Sequence, residues 1–225
     1  MNWPNHQAWA AGKHEAVVAT EKGNIFTWVI PCETLYLPSG RLVACDPFVF
    51  LQPRNNPHVV VATGHFPVTV TLADVSAKQD RSHIREAYAS IIFAEGEEKC
   101  RRALPLAREG EQRPVLDEGK FIGFSVDAGT ACFVDDSVIE FGMPDPKTWF
   151  EELFENERAD SWFNRMDDPE HIRTGIANIQ LPLAKAGENL ILFHSGWGDG
   201  VYPVVGGFDR DDHLIAVHID FGVVP

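Results

Sequence analysis

The sequence predicts an α+β protein that is mainly β, with antiparallel sheets in a sandwich-like core and one or two packed helices. Three observations carry this expectation. Short segments rich in β-branched and aromatic residues recur along the chain, separated by Gly, Pro, Asn or Ser-Gly. Val68–Leu72 alternates Val68, Val70 and Leu72 with polar or small positions, the period of two expected of a sheet with one wetted face. From Asp145 onward the apolar spacing changes to that of an amphipathic helix.

In chain order, the first strands are Ala16–Thr20, Ile25–Ile30, Glu33–Leu37 and Arg41–Cys45. Pro38-Ser39-Gly40 supplies a turn, because proline presets φ and glycine takes a left-handed position. Val59–Thr63 and Val68–Leu72 follow, flanking Gly64-His65-Phe66-Pro67. Ser82–Ala94 fits either period, and its second half reads as strand because Ile91-Ile92-Phe93 is β-prone. Glu95–Glu118 mixes both charge signs and reads as a solvated connection or a sheet edge. Phe121–Val126 resumes the strand pattern. Asp145-Pro146 then offers an N-cap and a first-turn proline, so a helix is expected over 146–158. Its apolar stripe is Trp149, Phe150, Leu153 and Phe154, opposite Glu151, Glu152, Glu155 and Glu157. A second short helix carries Trp162, Phe163 and Met166, and both aromatic stripes read as core contacts. The chain is expected to form one domain over 1–225, with possible sub-layers 1–94 and 121–225 joined by the charged connection.

The most distinctive stretch is Asn189–Phe221, read as adjacent antiparallel strands around a glycine-rich loop and an acidic turn. Ser195-Gly196-Trp197-Gly198-Asp199-Gly200 alternates three glycines with an indole, a hydroxyl and a carboxylate, and Tyr202 follows. Glycines so placed predict an ordered loop with Trp197 at least half buried.

Composition limits function. The net charge is −14, and residues 121–225 carry nineteen acidic and six basic side chains. Such a chain repels phosphate backbones, so no nucleic-acid partner is expected. No apolar run is long enough for a membrane span, and no secretory signal is visible at the start, so a cytoplasmic protein is expected. Cys32, Cys45, Cys100 and Cys132 are scattered, with no C-x-x-C pair, which argues for reduced thiols.

Few residues carry chemistry. Asp127-Ala-Gly129-Thr130 at a strand end can hold phosphate or a cation, but the same turn occurs where an aspartate merely caps a reversal. The second reading is preferred for Asp127 and Asp199, each fixing its own turn, with no metal and no cofactor expected. Asp209, Asp211 and Asp212 resemble a solvated hairpin tip. Cys132 with His194 or His65 and an aspartate is the one nucleophilic assembly worth naming, and a buried structural cysteine is the reading preferred there. His213 and His218, five apart on one strand, face opposite sides and do not make a zinc pair.

The order Pro38-Ser-Gly-Arg-Leu-Val-Ala-Cys-Asp-Pro47, then Phe124-Ser-Val-Asp-Ala-Gly-Thr130, then Ser195-Gly-Trp-Gly-Asp-Gly-Val-Tyr-Pro203, closing on Ile219-Asp-Phe221, resembles the bacterial domain-of-unknown-function family numbered 4241. Where many relatives carry a glycine after the DAGT turn, this chain has Ala131. The resemblance implies gene neighbourhoods that include polymorphic toxins and their immunity proteins, and it brings no established catalytic mechanism. The favoured expectation is therefore a cytoplasmic immunity protein, not an enzyme, that occludes the active site of a basic toxin. Its acidic contacts would come from Glu151, Glu152, Glu155, Glu157, Asp160, Asp199, Asp209, Asp211 and Asp212. The alternatives are a metal- or cysteine-dependent enzyme using the Asp127 and Asp199 loops, and a sensing module that binds a small anion at the glycine-rich turns.

Overall fold

The computed structural model describes residues 15–20, 23–117 and 119–224. The opening stretch read for a secretory signal lies largely outside them, as does Glu118 within the charged connection. The described residues are mainly β, and every strand pairing is antiparallel.

The larger sheet has seven strands. Its spatial order runs β1 (Glu15–Thr20), β2 (Gly23–Leu37), β5 (Gly64–Asp74), β6 (Ile84–Ile92), β14 (Leu214–Asp220), β13 (Val204–Phe208) and β7 (Cys100–Ala103). The second sheet has five: β10 (Ile176–Gln180), β11 (Asn189–His194), β9 (Thr130–Asp135), β3 (Arg41–Cys45) and β4 (His58–Val60). A small ribbon pairs β12 (Gly200–Tyr202) with β8 (Phe124–Val126). Each large sheet takes strands from both sides of the charged connection. That connection supplies β7, an edge strand, as its mixed charge allowed.

The two strands expected at 25–30 and 33–37 are one long strand with an irregularity between Pro31 and Thr34, where Glu33 takes a positive φ of 67°. The kink lets β2 follow the curl of the seven-stranded sheet.

The five-stranded sheet is buried on both faces, which is why β9 is apolar at consecutive positions. One face, with Leu42, Ala44, Ala131, Phe133, Ile191 and Phe193, packs on Val68, Val70, Leu72, Ala87, Ala89, Ile91, Val217 and Ile219 of the larger sheet. This is the sandwich core. The other face, with Val43, Cys45, Cys132, Val134, Leu190 and Leu192, packs under a helical layer.

That layer corrects the expected helix over 146–158. Its regular part is a π-helical turn at Phe150–Phe154, closed by the Glu155 N–H on the Phe150 carbonyl. The wider turn places residues five apart on one face. Trp149 and Phe154 are accordingly both buried, whereas Phe150 points outward. The expected second helix is present at Trp162–Asp167, with the Ser161 hydroxyl accepting from the Asn164 N–H at its start. A further short helix, Asp136–Gly142, follows β9 directly. Phe154 meets Phe48 edge-on at 5.0 Å and lies 4.9 Å from Trp162, so these aromatics form core contacts as expected.

Asn189–Phe221 is not a set of adjacent strands. β11 belongs to the five-stranded sheet, β12 to the ribbon, and only β13 and β14 pair with each other. The glycine-rich loop is thus the crossing from one sheet towards the other, and chain reversal alone does not explain it.

Candidate functional site

Two loops quoted from the sequence meet in space, and a third residue holds them. Asp46, fully buried after β3, accepts the backbone N–H groups of Asp127 (3.0 Å) and Ala128 (2.6 Å) on one oxygen. Its other oxygen accepts the Phe48 N–H at 2.9 Å. The carboxylate that fixes the Asp127–Thr130 turn is therefore Asp46 and not the expected Asp127, which is exposed. Asp199 likewise braces its neighbour rather than its own loop, accepting the Gly129 N–H at 3.1 Å. The Ser195 N–H completes the joint on the Gly129 carbonyl at 3.0 Å.

Within the Ser195–Gly200 loop, the Ser195 and Tyr202 hydroxyls both donate to the Gly198 carbonyl, at 2.8 and 2.7 Å. Gly196 has φ +63°, and a Cβ there would lie 2.8 Å from the Glu86 carbonyl oxygen and from Phe221. Only glycine fits so close to β6. The loop is fixed, but Trp197 is not half buried: it is 55% exposed. With its base clamped against β6, the loop turns the indole outward, where the Arg85 guanidinium lies 5.7 Å from the ring centre and the His83 ring approaches edge-on at 6.1 Å.

Arg85, Glu86, Gly129, His194, Trp197 and Asp167 are among the residues lining a cleft of about 380 Å³ at this joint. Burial pushes the Glu86 carboxyl up, with Arg173 and Arg85 opposing that shift; Arg173 Nη1 lies 3.7 Å from it. Burial pushes His194 down, against the pull of Asp167, which favours the neutral imidazole at neutral pH. Arg85, Glu86 and Arg173 carried no signal in the sequence, lying in an ambiguous segment and a loop.

A larger groove of about 1180 Å³ opens beside the helical layer and β10. Glu33, Glu151, Glu152 and Asp160 line it together with Leu153, Trp162, Ile179 and Leu183, and Arg158 and Arg165 are its cations. Arg158 is held by Asp160 across a short exposed ion pair, and Arg165 lies 3.8 Å from Asp168. The acidic residues singled out from the sequence therefore divide. Glu151, Glu152 and Asp160 share this groove, while Glu155 and Glu157 are exposed nearby without lining it. Asp199 braces the Gly129 turn, and Asp209, Asp211 and Asp212 lie at the β13–β14 hairpin.

At that hairpin the Asp209 carboxylate accepts the N–H groups of Asp211 and His213. Asp209, Asp211 and His213 bring ligand atoms within 4.8 Å of one another, the one grouping with metal-ligand spacing among the described residues. Asp209 is already committed to holding the turn.

The nucleophilic assembly considered from sequence does not form through Cys132. Its thiol faces Cys45 at 3.8 Å in the helical-side core, and no hydrogen bond joins it to His194 or His65 among the described residues. His65 instead stacks on Tyr36 at 4.3 Å.

A different array exists. The Ser90 hydroxyl lies 2.7 Å from His218 Nδ1, His218 Nε2 lies 2.8 Å from Glu98, and Arg101 lies 2.6 Å from the same carboxylate. Burial alone would raise Glu98, but the His218 hydrogen bond and Arg101 override it and hold the carboxyl at about 2. Burial and Arg101 push His218 down, against Glu98. The array is therefore a neutral imidazole donating to an ionised carboxylate and accepting from serine. All four side chains are buried, so it reads as a satisfied polar network behind the sandwich.

Fold and sites together define an antiparallel β-sandwich with a helical third layer, with the acidic groove and the Trp197 cleft open on its surface. The chain belongs to the family described as "Protein of unknown function (DUF4241)", whose model matches residues 35–219. No curated protein and no solved structure matches it. No helix among the described residues is long and apolar enough to cross a membrane.

Proposed function

We propose that this chain is a cytoplasmic immunity-type inhibitor that binds a basic toxin domain and occludes its active site, with the acidic groove as its principal contact. The observation that carries this reading is the groove itself. It is open, with Glu33, Glu151, Glu152 and Asp160 outnumbering Arg158 and Arg165 around apolar contacts from Leu153, Trp162 and Leu183. A lysine- or arginine-rich segment would find its charge opposed at the rim and its aliphatic stems covered within. The excess of acidic side chains in residues 121–225 supports the same partner at longer range, by speeding encounter.

Co-expression with the product of the adjacent upstream gene is the test. Rescue of growth by the wild type, with a slower association rate for Glu151→Lys/Glu152→Lys, is the expected result. A harmless neighbour, or an association rate that these reversals leave unchanged, would sink the proposal. Added salt should slow association, since screening acts over about 8–10 Å.

A further inference from the structure

We propose that the cleft between the Asp127–Thr130 turn and the Trp197 loop is a binding site for a small molecule carrying a planar ring and one oxyanion group, carboxylate or phosphate. This goes beyond the inhibitor reading and stands apart from the acidic groove.

Three observations converge. First, Trp197 is 55% exposed on a loop whose every other feature enforces order: a left-handed Gly196 wedged against β6 and two hydroxyls on the Gly198 carbonyl. A fixed loop that presents an indole to solvent makes a shelf, since a core residue would have been turned inward.

Second, the cation beside the shelf has donor capacity left over. The Arg85 guanidinium lies over the Trp197 face at 5.7 Å, and its Nη1 reaches the Ile84 carbonyl only at 3.5 Å. Its Nε is buried and has no hydrogen-bond partner among the described residues. Arg173 Nη1, close to Glu86 behind the cleft, is buried without a hydrogen-bond partner in the same sense. The Arg85 guanidinium lines the cleft, and its Nη groups would give an oxyanion there charge-assisted hydrogen bonds.

Third, the volume of about 380 Å³ suits one ring and its substituent. Phe163 and Met166 supply an apolar wall, and His194 a neutral polar group. Glu86 and Asp167 restrict the ligand. Each is an acid in or beside the cleft, so a second negative group on the ligand would be repelled. A single oxyanion group is therefore specified over a polyphosphate. The oxyanion meets Arg85, and the ring lies along Trp197.

The test uses the full chain with benzoate, phenyl phosphate and inorganic phosphate as probes. The chain has six tryptophans, so the readout is the indole N–H resonance of Trp197, assigned by its loss in Trp197→Phe. Saturable shifts are expected with benzoate and phenyl phosphate, and their relative affinity identifies the preferred oxyanion. Arg85→Gln should weaken both by about tenfold or more. Arg85→Lys, which keeps the charge but lacks the planar guanidinium fork, should also lose affinity, which covers the case in which the glutamine variant melts early. Calorimetry on Trp197→Phe should show weaker ring-probe binding. Absence of a saturable shift with every probe overturns the proposal, as does wild-type affinity in both Arg85 variants. Inorganic phosphate binding as tightly as the ring probes would overturn the role of the indole shelf.

Discussion

Asp46→Asn and Asp127→Asn, a pair of nearly isosteric changes, separate the carboxylate that builds the signature turn from the one beside it in sequence. Asp46 has no exposed surface and accepts three backbone N–H groups, two on one oxygen and one on the other. Asparagine keeps one acceptor. Turned towards Asp127 and Ala128, its amide nitrogen faces the Phe48 N–H; turned the other way, two donors are stranded. The first orientation is the cheaper. It leaves one buried donor unmatched, at about 1–3 kcal/mol, and removes the charge that strengthens the other two bonds, for a total of about 2–4 kcal/mol. In a chain of this size that lowers Tm by roughly 5–12 °C. Asp127 is exposed and receives no side-chain hydrogen bond among the described residues, so its asparagine variant should melt within about 0.5 kcal/mol of wild type. Urea unfolding of both variants, with thermal melts alongside, reads the difference. Equal losses from the two substitutions, or an Asp46→Asn protein as stable as wild type, would refute this account of the turn.

Three further outcomes are expected. Burial pushes the Asp220 carboxyl up to about 6 from an ordinary 3.8, so its folded-state stability is complete below pH 3.8 and is lost as pH rises through about 6. Asp220→Asn should therefore be more stable than wild type at pH 8, by about 2–3 kcal/mol at most, with the gap closing near pH 4; a constant gap across that range would contradict the shift. Glu98 has the opposite sign. Held at about 2, it contributes stability above pH 4.5 that disappears as pH falls through about 2, and Glu98→Gln should flatten that limb of the acid-unfolding curve. Gly207→Ala would place a Cβ 2.4 Å from the Glu98 carboxyl carbon, and a loss of about 2–3 kcal/mol by urea unfolding is expected; a variant as stable as wild type would contradict that crowding.

Local features of the fold were legible in the sequence, and long-range ones were not. The period of two at Val68, Val70 and Leu72 marked β5, and the β-prone Ile91-Ile92 marked β6. Trp162, Phe163 and Met166 marked the second helix. The helix at 146–158 failed because stripes at i+4 and i+5 fit an α-helix and a π-turn alike, and only burial of Trp149 with Phe154 separates them. Partner choice across the sheets was invisible, since β13 pairs with a strand from the charged connection. At the site, the Asp127 and Ser195–Gly200 loops stood out by their glycines, and their meeting was not encoded locally. The key carboxylate, Asp46, lies about 80 residues from the turn it holds, inside a motif noticed for its resemblance rather than its chemistry. Glu98 looked like one more solvated charge in Glu95–Glu118. What distinguishes it is burial against His218 and Arg101, a tertiary fact.

The strand order also sets a timetable for the chain's synthesis. β6 finds its second neighbour, β14, only after roughly 120 more residues have been made, and β5 covers its other side early. At about 5–20 residues per second, the open side of Ile84–Ile92 waits on the order of 6–24 s on the ribosome. Ala87, Ala89 and Ile91, all destined for the sandwich core, line that waiting strand. An uncovered apolar edge of this kind recruits other strands, including those of sister chains on the same message. Holding factors that shelter nascent chains should therefore matter more to the yield of this protein than the stability of its finished fold.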